Sequence, residues 1–332
     1  MRRMAAITLF TLGELESAAE LVYGVMPPTP QYAWPLLRQR LGCDVFVKHE
    51  NHTPTGAFKI RGGLVYMDGL KRSGAGLKGV ITATRGNHGQ SIALAGARAG
   101  IAVTILVPHG NSVEKNLAMR AFGAELIEFG TDFDEAKHEA ARLAETRGLQ
   151  LVPAFHNDLV KGVATYALEL FRAVADLDVV YVPIGMGSGI CGLITLRDLL
   201  GLTTEIVGVV AANAPAMALS FAEGRAVPTD TALTFADGMA CREPNDAALP
   251  VICKGAARII RVSEDQIAEA MRSYYHDTHN LAEGAGAAAL AALQLEVDIM
   301  AGKRSAVILT GGNIDARDFA DVLAGKRPLV AG

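Results

Sequence analysis

Four short apolar segments between residues 79 and 155 constrain the fold more than any other feature of the sequence. They are GVITAT, AVTILVP, AELIEFG and LQLVPAF, and a segment with helical periodicity follows each of the first three. Strands and helices in alternation are typical of a parallel sheet with helical crossovers. Such sheets bind their ligands at the carboxyl ends of the strands.

The same alternation returns after Leu159, so we predict two sheets in an α/β fold. The later strands are predicted in DVVYVPIG, EIVGVVAAN and SAVILTGG. Helices are predicted near Leu159 to Val174, Ser263 to His276, Glu283 to Asp298 and Asp315 to Ala324. Nearer the start of the chain, we predict a helix over about Leu12 to Tyr23, with a capping box formed by Thr11 and Glu14, and a second helix near Leu36.

Composition and charge favour a cytoplasmic enzyme that binds small molecules. The 332 residues carry a net charge of −4, which provides no basic surface for nucleic acid. Pro183 and several glycines interrupt the uncharged run from Val179 to Leu196, so we interpret it as strand, loop and helix rather than a membrane span. The four cysteines are widely separated, which is consistent with a reducing compartment.

Lys59 is the candidate reactive residue. Pro54 and Gly56 indicate a turn, after which Phe58 and Ile60 flank the lysine at the predicted start of a helix. Apolar neighbours and the positive end of a helix both favour the neutral amine. A neutral lysine amine can form a Schiff base with a carbonyl compound.

Two further segments are candidate anion sites, because each joins a predicted strand to a helix start. GMGSGICG (Gly185 to Gly192) would present backbone N–H groups to a phosphate, and TATRGNHGQ (Thr82 to Gln90) would present them to a carboxylate. The spacing of Gly187, Gly189 and Gly192 also matches a dinucleotide-binding loop. That alternative is disfavoured because the next strand ends at Asn213 rather than at an acid.

Four segments together carry a resemblance to a known family. ENHTPTGAFKIRGG, TATRGNHGQSIALA, PIGMGSGICGLI and ILTGGNID resemble, in this order, the fold-type II pyridoxal-phosphate enzymes, specifically the serine/threonine dehydratases of the short form that lacks a regulatory domain. The resemblance implies a fold like that of the tryptophan synthase β chain, with two open, twisted, mostly parallel sheets flanked by helices. It further implies a large cofactor-binding domain (1–68 and 156–332), a small mobile domain (69–155) and a homodimer or larger homo-oligomer.

The resemblance also assigns roles to individual residues. Lys59 would carry pyridoxal 5'-phosphate as a Schiff base and act as the catalytic base. The other residues implied to bind the cofactor are Phe58, Asn87, Gly185, Met186, Gly187, Ser188, Gly189, Glu283 and Thr310. Those implied to bind the substrate are Thr84, Arg85, Gly86, Asn87 and His88.

Three of these positions leave alternatives open. Glu283 could equally be a first-turn acid that stabilises a helix dipole. Arg85 replaces the small residue that is common in the family, and it could meet the substrate or only a neighbouring acid. Thr310 would meet the pyridine nitrogen with a neutral hydroxyl, which favours prompt β-elimination, or it could be only the end of a core strand before a Gly-Gly turn.

The implied activity is loss of water from a β-hydroxy amino acid, giving a 2-oxo acid and ammonia. L-Threonine is the first choice and L-serine the second, while phenylserine and 3-hydroxyaspartate stay open. β-Replacement is less favoured because this chain has Lys59-Ile60-Arg61 and Gly86-Asn87-His88 where such relatives usually have K-D-R and G-N-T. A binding protein without turnover is the alternative outside catalysis.

No metal site is expected in this chain. Some relatives bind a divalent cation through acids at the positions of Val210 and Ala216, and neither side chain can supply an oxygen ligand. The pairs His49 and His52, and His276 and His279, have no further ligands nearby in the sequence.

Chelation should therefore leave the implied activity nearly unchanged. The check is an assay of ketoacid release before and after dialysis against EDTA, with and without added Mg²⁺ or Ca²⁺. Loss of most activity in the chelator, restored by either ion, would contradict the assignment of Val210 and Ala216.

Overall fold

The computed structural model of the protein describes residues 7–74 and 76–328. Its helices are α1 (Leu12–Tyr23), α2 (Pro35–Leu41), α3 (Lys59–Arg72), α4 (Asn87–Ala99), α5 (Val113–Ala121), α6 (Phe133–Arg147), α7 (Asn157–Val163), α8 (Thr165–Ala173), α9 (Ser188–Leu199), α10 (Ala216–Glu223), α11 (Leu249–Gly255), α12 (Glu264–Thr278), α13 (Gly284–Leu295), α14 (Val297–Met300) and α15 (Ala316–Leu323). The strands are β1 (Gln31–Ala33), β2 (Asp44–His49), β3 (Val80–Ala83), β4 (Val103–Val107), β5 (Glu125–Glu128), β6 (Gln150–Leu151), β7 (Val179–Pro183), β8 (Glu205–Ala211), β9 (Arg258–Val262) and β10 (Arg304–Leu309).

The larger sheet has six strands in the order β1-β2-β10-β7-β8-β9. β1 is antiparallel to β2, and every other pair in this sheet is parallel. Side chains from its strands belong to two separate apolar cores. One core also contains residues of α7, α8 and α9, and the other contains residues of α12 and α13. Strands buried on both faces explain the nearly continuous apolar runs in the sequence.

The smaller sheet has four parallel strands in the order β5-β4-β3-β6. Its strands lie between residues 80 and 151, and those of the larger sheet lie outside that range. The prediction of two mostly parallel sheets is therefore confirmed. The domain boundaries near residues 68 and 156, and the mobility of the smaller domain, stay predictions.

Most predicted elements are confirmed. α1 has the bounds and the Thr11 and Glu14 capping box expected of it, and α3 begins at Lys59. The run from Val179 to Leu196 is divided between β7 and α9 as predicted. No helix in the described ranges is long and apolar enough to cross a membrane.

Several elements differ from the predictions, and one of them is the helix expected from Glu283 to Asp298, which is divided into α13 and α14. The helix expected from Leu159 to Val174 is two helices, α7 and α8, and the Thr165 hydroxyl at their junction donates to the carbonyl of Gly162 at 2.8 Å. In LQLVPAF only Gln150 and Leu151 form strand pairs with β3, and the N–H of Val152 adds one further bond, to the Ile81 carbonyl at 2.8 Å. β9 was missed, since its apolar run is only two residues long between Arg258 and Arg261.

A fully buried ion-pair network fixes the first turn of α3. Arg61 donates to Glu50 at 2.7 and 3.0 Å and to Glu169 at 2.6 and 2.9 Å. Lys48 also donates to Glu169, at 2.5 Å, and the Arg61 and Lys48 side chains are inaccessible to solvent. Two buried cations are thus neutralised by two buried carboxylates, so removal of one member leaves an unpaired charge.

Glu169→Gln should lower the free energy of unfolding by about 3 to 5 kcal/mol, because Lys48 and Arg61 would then share a single carboxylate in the interior. Urea unfolding followed by circular dichroism measures this change. The matched control is Glu139→Gln, which removes a surface ion pair with the exposed Arg142 and should leave the unfolding midpoint nearly unchanged. Equal midpoints for the two variants would contradict the structural importance of the network.

Candidate active site

A cavity that is open on one side lies between the two sheets. The carboxyl ends of β3, β7 and β10 meet at it, through Thr84, Gly185 and Thr310. Every site residue predicted from the sequence lines this cavity: Phe58, Lys59, Thr84, Arg85, Gly86, Asn87, His88, Gly185, Met186, Gly187, Ser188, Gly189, Glu283 and Thr310. Their roles stay predictions, but their proximity in the fold agrees with a single site.

The Lys59 amine faces neutral groups. Its Nζ donates to the hydroxyl of Ser188 at 2.9 Å and lies 4.7 Å from the centre of the Phe58 ring. Burial lowers the pKa of Lys59 to about 8, and Cys241 opposes this only in part. A substantial share of the amine is therefore neutral near physiological pH, as carbonyl chemistry requires.

The glycine loop after β7 leads into α9 with a tight turn. Gly187 has a φ of +97°, which strongly favours glycine. A Cβ on Gly185 would lie 2.1 Å from the carbonyl oxygen of Gly238, so only glycine fits there. The first N–H groups of α9, starting at Ser188, have no partner within the helix and can bind an anion.

The same geometry disfavours the dinucleotide alternative. The Lys59 amine reaches Ser188 at the first turn of α9, where a dinucleotide fold would place a pyrophosphate. A Cβ on Gly192 would lie 3.1 Å from Ala164, so this glycine serves the packing of α9 against the junction of α7 and α8.

The loop after β3 is folded by Thr84. Its hydroxyl accepts from the backbone N–H groups of Gly86 and Gly89, at 2.9 and 3.3 Å. Asn87 and His88 are the first two residues of α4, and neither backbone N–H bonds a group in the described ranges. Two adjacent N–H groups at a helix start are a suitable carboxylate site.

Asn87 is held by two residues from the other side of the cavity. Its Nδ2 donates to Glu283 at 2.5 Å, and its Oδ1 accepts from Asn313 at 2.8 Å. An amide nitrogen has two donors, so one N–H of Asn87 stays available to a ligand. Glu283 is the N-cap residue of α13, and its carboxylate orients Asn87 through this hydrogen bond.

Two residues that the sequence did not indicate complete this side of the cavity. Lys115 donates to Asp237 at 3.0 Å and lies 3.4 Å from Glu283. Burial alone would lower the pKa of Lys115, but the two carboxylates raise it above its usual range. Burial raises the pKa of Glu283 despite the opposing effect of Lys115. Lys115 was missed because it lies inside α5, where a lysine usually faces solvent.

Arg85 and His88 both have unpaired nitrogens at this site. Among the described residues, no hydrogen-bond partner reaches the buried Nε of Arg85 or the buried Nε2 of His88. Burial and the nearby Lys59 lower the pKa of His88 to about 3, so its ring is neutral. The nearest acid to Arg85 is Asp237, at 4.0 Å.

The positions considered for metal are apolar or otherwise engaged. Val210 and Ala216 are buried in the core. The Nε2 of His49 accepts from the indole N–H of Trp34, its Nδ1 lies 3.3 Å from the amide oxygen of Asn51, and His52 bonds Asn280. In residues 7–74 and 76–328, no group of three or more His, Cys, Asp and Glu side chains is arranged to hold a metal ion.

The side chains fit pyridoxal 5'-phosphate, the cofactor that the resemblance implies. Lys59 offers a buried amine for the aldehyde, and the start of α9 offers N–H groups with the Ser188 hydroxyl for the phosphate. Asn87 retains a donor for the ring hydroxyl, and Thr310 lines the cavity at the end of β10.

Comparison with known proteins supports this fit. A model of the family described as "Pyridoxal-phosphate dependent enzyme" matches residues 23–311. The chain is 37% identical over 295 residues to an L-threonine ammonia-lyase of Geobacter sulfurreducens, covering 88% of this chain and 72% of that one. It is 33% identical over 311 residues to an L-threonine ammonia-lyase of Thermotoga maritima, covering 92% and 76%. The structure of the processed form of threonine deaminase isoform 2 from Solanum lycopersicum matches with a TM-score of 0.87 and 31% identity, covering 97% and 95%.

The rate at which the cofactor-free protein captures pyridoxal 5'-phosphate should rise with pH up to about 8 and level off above it, because only the neutral Lys59 amine reacts. Stopped-flow absorbance between pH 6 and 10 measures this rate. Lys59→Ala is the control and should show no covalent capture. A rate that keeps rising towards pH 10 would mean that Lys59 behaves as an ordinary exposed lysine.

Proposed function

The chain belongs to the family of pyridoxal-phosphate dependent enzymes, with the fold-type II architecture, and from that premise we propose that it is an ammonia-lyase that removes water from L-threonine. The products are 2-oxobutanoate and ammonia, and L-serine would give pyruvate. The observation that carries the proposal is the Lys59 amine, buried beside the Ser188 hydroxyl at the start of α9. The similarity of the chain to the two bacterial L-threonine ammonia-lyases supports the choice of substrate.

Each side chain has a distinct part in this reaction. When bound, pyridoxal 5'-phosphate supplies an electron sink for the α-carbon of the amino acid. Lys59 holds the cofactor and then takes the α-proton on Nζ as a free amine. The start of α9 binds the phosphate, and the backbone N–H groups of Asn87 and His88 bind the substrate carboxylate.

The cavity supports elimination rather than racemisation. A racemase needs a second acid or base across the substrate from Lys59, and Arg85 cannot lose its proton to serve as one. Thr310 presents a neutral hydroxyl at the end of β10, which favours loss of the β-hydroxyl over return of the proton. The loop sequence Gly86-Asn87-His88 supports elimination over β-replacement.

Three further features accompany this function. We propose a homodimer or larger homo-oligomer, which large exposed apolar side chains such as Leu36 and Tyr32 support. We also propose a location in the cytoplasm, which the four free cysteines support. We propose that residues 69–155 move as a small domain, with Lys115 joining it to Asp237 and Glu283 of the large one. Light scattering of the purified protein tests the oligomeric state, and a monomer would contradict it.

The purified protein with its cofactor should release 2-oxobutanoate and ammonia from L-threonine, and Lys59→Ala should abolish both this release and the visible absorbance of the bound cofactor. Lactate dehydrogenase-coupled detection of the ketoacid and an absorbance spectrum measure the two effects. The matched control is Lys71→Ala, in the exposed last turn of α3, which should retain both. Borohydride reduction followed by peptide mapping identifies the modified lysine, and a label on any residue other than Lys59 would refute the assignment.

A further inference from the structure

We propose that Arg85 binds a second substrate carboxylate, so that the enzyme also dehydrates β-hydroxy amino acids with a carboxylate on the β-carbon, such as L-threo-3-hydroxyaspartate. This inference rests on the proposed function, because it adds a subsite beside the same Lys59. It extends that function to a dicarboxylic substrate class.

Arg85 differs from the other arginines that are similarly shielded from solvent. Its side chain is 22% exposed, yet it donates no hydrogen bond to any residue in the described ranges, and its Nε is fully buried. By contrast, four other shielded arginines each donate at least two side-chain hydrogen bonds. They are Arg61, Arg197, Arg258 and Arg272. A guanidinium carries five N–H donors in a planar fork, so all of those of Arg85 are unused.

Asp237 does not form a hydrogen bond with Arg85. Its Oδ2 accepts from Lys115 at 3.0 Å, whereas its Oδ1 lies 4.0 Å from the Arg85 Nε, beyond hydrogen-bond distance. Asp237 thus places Arg85 near the cavity by charge attraction and leaves the guanidinium fork free. Carboxylates are the groups that such a fork binds best, through two parallel bonds.

The α-carboxylate of the substrate has other donors. The backbone N–H groups of Asn87 and His88 are unpaired at the start of α4, and this position follows Arg85 by only two and three residues. With the α-carboxylate held there, Arg85 is left for a group on the far side of the α-carbon. That group is the substituent of the β-carbon.

The chemistry of the added substrate is the same elimination. Lys59 takes the α-proton, the β C–O bond breaks, and the hydroxyl leaves as water after gaining a proton. The resulting enamine converts to the imine, which water hydrolyses to oxaloacetate and ammonia. One water is released and one consumed, so 3-hydroxyaspartate gives oxaloacetate and ammonia with no oxidant or reductant.

The test compares wild type, Arg85→Gln and Arg85→Lys, each loaded with cofactor. The measured quantity is the ratio of kcat/KM for L-threo-3-hydroxyaspartate to kcat/KM for L-threonine. Arg85→Gln should lower this ratio at least about tenfold, the effect of losing a hydrogen-bonded charge partner. Arg85→Lys should lower it less, because the charge is kept while the planar fork is lost. Arg98→Gln, an exposed change in the last turn of α4, is the control and should leave the ratio unchanged.

Binding of succinate, an unreactive dicarboxylate, gives a readout that does not depend on turnover. Isothermal titration calorimetry should detect succinate binding to the wild-type holoenzyme and a loss of that binding in Arg85→Gln. A fall in kcat/KM by the same factor for both substrates, with a lower Tm, would show that Arg85 only pairs with Asp237 and would overturn the inference. Wild type that binds succinate through Arg85 but releases no ketoacid from L-threonine would instead overturn the proposed function and leave the subsite supported.

Discussion

The pairing of Arg61 with Glu50 and Glu169 is the interaction on which the position of Lys59 depends. Arg61 lies two residues after Lys59 on α3, so their side chains leave the helix on different sides. The Arg61 side chain is fixed in the interior by charge-assisted hydrogen bonds, and the Lys59 side chain faces the cavity. The Arg61 guanidinium is bonded on several sides, which leaves the first turn of α3 little freedom to rotate.

Close packing of α3 against α4 also fixes the start of α4 relative to Lys59. A Cβ on Gly63 would lie 2.2 Å from the Ser91 hydroxyl, so α3 and α4 approach as closely as they do only because Gly63 has no side chain. Ser91 in turn donates to the Lys59 carbonyl at 2.6 Å. The start of α4, with its two unpaired N–H groups, is therefore held at a set distance from the lysine amine.

The sequence predicted those parts of the site that are local in the chain. Lys59 and the loops at Thr84 and Gly185 each combine a strand end, a turn and a helix start, and those signals are carried by neighbouring residues. Lys115 and Asp237 could not be predicted in this way, because they meet across 122 residues and no local pattern links them. Asp237 also lies in a single 3₁₀ turn, which has no periodicity to indicate which side of it is buried. The division at Thr165 was also missed, and the Thr165 hydroxyl there accepts a tertiary hydrogen bond from Arg61 that no local pattern indicates.

The contrast between Lys59 and Lys115 explains how one cavity holds two lysines with opposite properties. Both amines are shielded from water, which disfavours the charged form in each. Lys115 lies between the carboxylates of Asp237 and Glu283, so its pKa is raised and it remains a cation that joins two parts of the chain. Lys59 has a hydroxyl and an aromatic ring beside it instead, so its pKa is lowered. An acid placed next to Lys59 would hold the proton on its amine and remove its nucleophilicity. The chemistry of the site thus depends on neutral neighbours at Lys59 as much as on the lysine itself.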